Sequence, residues 1–352
     1  MAVMKTTFVS TYALSNSTRN ILLKQASDIS KLTTEMSTGR KADVGLDLGA
    51  GTAEVVTLRS EYYRLNAIMD TNALVSSRLD VTQAALDDVL SNAEEFMATL
   101  VGISGNSGGA KVSQSEAQAG LELMVARLNT QLNGSYLFAG LNTDAAPMES
   151  YYGTPPGASK AAVDAAFFAE FGMTQDDPAV ASISPTAMET FLTGAYANLF
   201  GDPDWGNDWS SASDQVIRSR ISTSELAETS VSANEDAFRK LMSAYTMVAD
   251  LGAASLNEET YDAVVVKATE MLGEAISGVT DLMAKMGTAQ QRVSNASERL
   301  SIQTDILNHR IVELENVDPT ETSARLESAL TQMEISYAVT ARISQLSLIN
   351  YL

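Results

Sequence analysis

The chain has 352 residues, 45% apolar and 19% charged, too apolar for global disorder and long enough for two or three domains. Its 44 acidic and 23 basic residues give a net charge of −21, which leaves no basic surface for nucleic acid or for an acidic membrane. The lack of cysteine excludes a disulfide scaffold, a thiolate metal site and a cysteine nucleophile, and suits a chain that must pass unfolded through a narrow channel.

Residues 1–12 carry one lysine and no long apolar core, so no cleaved secretory leader is expected. No stretch approaches the roughly 18 uninterrupted apolar residues of a membrane span. Leu22, Ala26, Ile29, Leu32 and Met36 predict an amphipathic helix ending near Gly39. The glycine-rich stretch 45–51 reads as a turn.

Between residues 58 and 103 a seven-residue repeat runs unbroken. One position holds Leu58, Leu65, Asn72, Leu79, Leu86, Ala93 and Leu100; the other holds Ile68, Val75, Thr82, Val89, Phe96 and Ile103, with Glu61 the misfit. This is the seam of a coiled-coil or bundle helix, about 70 Å long at roughly 1.5 Å per residue. A second glycine-rich stretch, 102–109, reads as a turn before a helix carrying Leu121, Val125, Leu128 and Leu132, with Ser113 and Glu116 as a capping box.

Six of the seven prolines lie between residues 141 and 231, together with both tryptophans and 13 acidic against 3 basic residues. This segment reads as an inserted mixed α/β domain, helical over 160–171 and 186–200, with strands over 215–222 and 226–232. Beyond it Phe238, Leu241, Tyr245 and Val248 form a helical stripe, with Ser232 and Glu235 as a second capping box.

A second heptad run then holds Val265, Leu272, Val279, Met286, Val293, Leu300, Leu307 and Leu314 at one position. Ala268, Ala275, Leu282, Ala289, Ala296, Gln303, Arg310 and Val317 hold the other. Long helices at both ends of the chain, separated by an insertion, imply antiparallel packing of the two halves. Asp318-Pro319-Thr320-Glu321 is a helix start, and Leu326, Leu330, Met333 and Tyr337 form the stripe that follows, widened by a second line through Ile335, Val339, Ile343, Leu346 and Ile349. The fold expected is mainly α: a long antiparallel helical rod over 41–140 and 232–318, terminal helical segments over 1–40 and 319–352, and the insert over 141–231.

No catalytic, cofactor or metal residues are assigned, and no enzyme is expected. His309, the only histidine, has no partners at ligand or triad spacing. The stretch 201–209 (GDPDWGNDW) places Asp202 and Asp204 as in a calcium loop but has Gly206 and Ser213 where further ligands belong. Neither glycine-rich stretch carries the Gly-Lys-Ser/Thr of a phosphate loop. The adjacent carboxylates Asp87-Asp88 and Glu94-Glu95 diverge around a helix. The terminal stripes lie outside the main bundle, and isolated helices of this length are marginal in water. They either pair with each other or order against neighbouring copies. Leu22, Ile29, Leu32, Met36, Leu326, Leu330, Met333, Tyr337, Leu346 and Ile349 are the residues expected to form an assembly interface.

Ser37-Thr38-Gly39-Arg40, Ser232-Ala233-Asn234 and Asn295-Ala296-Ser297-Glu298-Arg299-Leu300 resemble the flagellin family, across roughly 8–140 and 230–352. The stretch Gly45-Leu46-Asp47-Leu48-Gly49 departs from the more acidic, proline-containing loop of many members. Two features look like the members that join hook to filament rather than the filament subunit. One is Asn133-Gly134-Ser135-Tyr136-Leu137-Phe138-Ala139-Gly140-Leu141-Asn142-Thr143; the other is the end, Leu346 to Leu352, in place of a leucine-rich, arginine-ended tail. The resemblance implies a structural, extracellular protein, exported unfolded and self-assembling through its terminal helices into a ring. Its implied partners are copies of itself, an adjacent hook-associated junction protein, flagellin, and an export chaperone that binds about residues 320–352. A flagellin filament subunit is the alternative.

Overall fold

The computed structural model describes the backbone of residues 11–103 and 109–349, and the side chains of residues 16–103 and 109–342. In chain order the elements are α1 (Thr11–Thr38), α2 (Val44–Leu48), α3 (Thr52–Ile103), α4 (Ala110–Leu128), β1 (Gln131–Leu132), β2 (Ser135–Tyr136), α5 (Ala158–Phe171), α6 (Pro185–Thr193), α7 (Ala195–Asn198), β3 (Arg218–Arg220), β4 (Leu226–Glu228), α8 (Asp236–Asp250), α9 (Glu258–Glu315) and α10 (Pro319–Ile349). The fold is mainly α, with two small antiparallel hairpins, β1–β2 and β3–β4. Packing divides the chain into two compact units, residues 1–66 with 302–352 and residues 67–301.

In the second unit the repeat acts as read. Asn72, Leu79, Leu86, Ala93 and Leu100 on one line, and Val75, Thr82, Val89 and Phe96 on the other, are all buried. The matching residues of α9, from Val265 and Ala268 to Ala296 and Leu300, are buried too. Cross-links fix the pair as antiparallel: Asn72 Nδ2 donates to Ser297 Oγ at 3.1 Å, Gln290 Nε2 to Asp80 Oδ1 at 2.7 Å, and Gln83 Nε2 to the Met283 carbonyl at 2.9 Å. Asn72 also donates to the Ile221 carbonyl at 2.9 Å, a polar link that pins register within an apolar seam.

The repeat of α9 slips after Leu300. Gln303 and Arg310 are exposed, and Thr304, Ile311 and Glu315 are buried in their place. Extra four-residue steps, from Leu300 to Thr304 and from Ile311 to Glu315, interrupt the alternation of three and four, so the line stays on one side of a helix whose natural period exceeds 3.5 residues.

Two capping boxes are corrected. The first helical residue of α4 is Ala110, three residues before Ser113. Ser113 is buried within the helix against the Tyr261 hydroxyl at 2.7 Å, and Glu116 accepts from Thr99 Oγ1. Glu235 rather than Ser232 precedes α8, and Ser232 Oγ donates to the Ser213 carbonyl at 2.8 Å. Both serines are committed to tertiary contacts. Leu132 lies in β1, beyond the end of α4. Residues 44–48 form a short helix where a plain turn was expected, and residues 104–108 of the second glycine-rich stretch lie outside the described residues.

The helices read in the middle segment are present as α5, α6 and α7, and its strands as β3–β4, shorter than expected. Its aromatic core, including Tyr151, Phe167, Phe191, Tyr196, Trp205 and Trp209, is continuous with that of α3, α4, α8 and α9. Tyr196 Oη donates to the Ser243 carbonyl of α8 at 2.7 Å, and Thr260 Oγ1 of α9 to that of Ile183 at 2.7 Å.

In the first unit, Gly39 ends α1 at φ +70°, a conformation that favours glycine. The following residues are stitched to the α9–α10 turn. Lys41 N donates to the Glu315 carbonyl at 2.9 Å, Val317 N to that of Gly39 at 3.1 Å, and Lys41 Nζ to that of Leu314 at 3.0 Å. Arg59 clamps Glu315 through two 2.6 Å hydrogen bonds, which hold its guanidinium above the ordinary arginine pKa. Asp318 caps α10 as read, accepting from Thr320 N at 2.8 Å. The amides of Thr320 and then Glu321 hold its carboxyl below the usual range.

Glu315 is 1% exposed and Arg59 is 40% exposed, so the two halves of this pair differ in what their loss leaves behind. Arg59→Ala strands a buried carboxylate and is expected to cost about 1–3 kcal/mol, after discounting for solvent at the arginine. Glu315→Gln leaves a guanidinium that water reaches, and is expected to cost clearly less. Urea unfolding checks this order; equal or reversed effects contradict it. At Gly120 a Cβ would lie 2.4 Å from the Tyr245 ring, which is stacked on Phe96 and hydrogen-bonded to Asn92. Gly120→Ala would gain about 1 kcal/mol of helix propensity. Overlap with this pinned ring outweighs it, for an expected net loss of about 1–3 kcal/mol. An unchanged or higher Tm would show that the ring gives way.

Candidate assembly surface

Within the first unit α1 packs along α10. Leu22, Ile29 and Leu32 are half-buried from one helix, and Leu326 and Met333 from the other. A helix pair can cover only one stripe of each member. These helices carry more apolar residues than that stripe holds. Met36 and Leu330 are each 46% exposed, and Tyr337 is 55% exposed. Ile21 and Leu23 on α1, and Ile335 and Val339 on α10, are likewise exposed. The pairing brings Leu22, Ile29, Leu32, Leu326 and Met333 into a shared seam and leaves Met36, Leu330 and Tyr337 facing solvent. The side chains of Leu346 and Ile349 lie outside the described residues.

The segment leading out of the bundle is built tightly. Asn133 and Gly134, at φ 52° and 80°, form the two-residue turn of the β1–β2 hairpin. Leu137, Phe138 and Ala139 are buried. A Cβ on Gly140, at φ +61°, would lie 2.2 Å from the Ser213 carbonyl oxygen, so only glycine fits. The returning chain runs beside it, with Ala233 N donating to the Phe138 carbonyl at 2.7 Å. Asn234 is the hub of the return. Its Oδ1 accepts from Trp205 Nε1 at 2.8 Å and Ser210 Oγ at 2.7 Å, and its Nδ2 donates to the Ala212 carbonyl and to Asp214. Ser232-Ala233-Asn234 thus acts as the fastening between insert and bundle.

The 201–209 stretch is part of this fastening. Trp205 and Trp209 are buried and stacked, and Asp202 pairs with Arg239 at 3.1 Å. His309 is exposed on α9, with Nδ1 3.4 Å from Glu313. Among the described residues no group of His, Cys, Asp and Glu could hold a metal ion, and no helix is long and apolar enough to cross a membrane.

Sequence reading missed one buried polar cluster. Asp250, ending α8, accepts from Tyr151 Oη at 2.7 Å and Lys160 Nζ at 2.9 Å, and Lys160 also reaches Asp164 at 2.8 Å. Burial pushes the Asp250 carboxyl up against the pull of Tyr151 and Lys160. The groups satisfy one another and tie α5 to α8, which is a structural arrangement. Only the spacing of Lys160 and Asp164 was visible beforehand; their partner lies far along the chain.

Comparison with known proteins bears on this geometry. Residues 9–143 match the family model of the bacterial flagellin N-terminal helical region, and residues 269–352 that of the C-terminal helical region. A solved structure from Vibrio parahaemolyticus, provisionally described as a flagellar hook-associated protein, is similar with a TM-score of 0.53 at 10% identity. That likeness covers 76% of this chain and 99% of the other, and at such identity it concerns the fold. No curated protein matches the chain. The two family regions span more than half of the residues and hold both paired terminal helices, all of α3 and most of α9, so the chain belongs to the flagellin family, whose members are structural, self-assembling components of the flagellum.

Proposed function

We propose that this chain is a junction subunit that joins the hook region of the flagellum to the flagellin filament. The observation that carries this reading is the Asn133–Thr143 segment, which is similar to the segment of junction proteins and is bound to its fold by a glycine that no other residue can replace. Copies assemble into a ring through the apolar residues left open on α1 and α10. One face of the ring docks on the adjacent hook-associated protein, and the other receives flagellin. The chain leaves the cell unfolded, escorted by a chaperone that holds the α10 region. Its work is mechanical and involves no catalysis. The filament-subunit alternative differs in abundance: a subunit is the bulk protein of sheared filaments, whereas a junction protein is a trace.

Deleting the gene in its native host is expected to give hooks without filaments in electron micrographs, with flagellin lost to the medium. Normal filaments would overturn the reading. Leu330→Asp with Tyr337→Asp is expected to lower the Tm of the purified chain by no more than about 4 °C, since both side chains are about half exposed and the change costs mainly helix propensity. The same variant is expected to abolish incorporation into flagella, read by blotting sheared hooks; full incorporation would remove α10 from the interface.

A further inference from the structure

The α3–α9 pair of the second unit carries opposite charges on its two flanks. On α9 the buried line through Val279, Leu282, Met286, Ala289 and Val293 separates them. On one flank Lys285, Arg292 and Arg299, all exposed, recur every seven residues. The β3–β4 hairpin lies over this flank, and together they form a groove of about 440 Å³ whose charged lining is Arg218, Lys285 and Arg292 against the single carboxylate of Glu228, over Met286 and Ala289. On the other flank Met283 and Gln290 meet α3, whose exposed Asp80, Asp87 and Glu94 also recur every seven residues. The two lines share a repeat of about 10 Å, at 1.5 Å per residue.

The cationic flank is under-neutralised. Glu225 serves both Arg292, at 3.1 Å, and Arg299, at 3.4 Å. Arg218 pairs with Glu228. Lys285 has no ion-pair partner among the described residues, although Asp281 lies one turn away. Arg78 of α3, level with Arg292 by the helix register, has a buried Nη2 without a hydrogen-bond partner. Such a positive groove is unusual in a chain of net charge −21. Asp87 and Glu94 likewise have no ion-pair partner among the described residues.

We propose that the groove between the β3–β4 hairpin and α9 docks the Asp80–Asp87–Glu94 line of a second copy of this chain. The inference rests on the assembly reading above and adds to it a contact at the level of the bundle, apart from the terminal helices. Opposite flanks of one molecule meeting on neighbouring copies make a heterologous interface, which closes into a ring when the rotation between copies allows. Charge lines of equal repeat favour axial registers in which each cation meets a carboxylate, and disfavour half-repeat slips that draw the opposite charges apart.

The chain has no cysteine, so introduced thiols report without background. Ala84 and Thr288 are exposed, one beside each charge line, and leave the charges intact when replaced. Ala84→Cys with Thr288→Cys in the full chain, expressed in its native host, is expected to give a ladder of multimers when sheared flagella are treated with a short bis-maleimide. Each single variant is expected to give monomer alone. Adding Lys285→Glu is expected to weaken the ladder several-fold, and adding Asp87→Lys to that to restore it. Dimers from a single variant, a ladder indifferent to both reversals, or no ladder from chain that is present in the flagella would each overturn the proposal and leave the assembly reading standing. Absence of the chain from the flagella would overturn both.

Discussion

Everything in the larger unit is hung on one antiparallel contact, the seam of α3 against α9. The α9 side alternates Ala268, Ala275, Ala289 and Ala296 with larger residues, so the partner helix can approach closely. Close approach removes apolar surface from water along the whole contact, at about 25 cal/mol per Å². It also brings long polar side chains within reach across the pair, as Gln83 and Gln290 show. Other helices pack against members of this pair. Tyr245 of α8 reaches its stacking partner Phe96 and its hydrogen-bond partner Asn92 only against α3, and α4 carries Gly120 to make room for that ring.

The seams, the helix start at Asp318 and the end of α1 at Gly39 were legible because each depends on residues within a turn or two of one another. The hairpin β3–β4 was legible through its alternation. What local pattern missed has one cause: a side chain with two possible uses was taken by the distant one. Ser113 and Ser232 carry the right chemistry for helix caps, yet Tyr261 and Ser213 claim them. The slip at Gln303 and Arg310 was written in their polarity, but a strict seven-residue count overrode it. Lys160, Asp250 and Tyr151 are separated by up to about a hundred residues, and no spacing rule joins them. For the assembly surface, the sequence showed that the terminal stripes were wide. The three-dimensional pairing shows which part of each stripe is used within the chain and which is left over.

Buried polar groups in this protein cluster where chain segments cross. Asn234 satisfies four neighbours at the return from the insert, and Glu315 with Lys41 closes the passage from α1 into the helices that follow. Hydrogen bonds demand geometry that apolar contact does not, so they select one arrangement of crossing segments from many that would bury similar area. Long helices can slide along a uniform seam, and these crossings are where sliding is stopped.

The continuity of the aromatic core has a consequence for anyone who would use this protein as a scaffold. Residues 141–231 fall almost wholly between the two stretches that match the flagellin family, and such a position invites replacement by a foreign domain. Phe167, Phe191, Tyr196 and the two tryptophans belong to the same apolar body as the helices beneath them. Excising the segment would open that body to water rather than free a tether. A graft would have to bring its own lid for α8 and the start of α9, whereas a peptide inserted into an exposed turn of the segment would leave that body closed.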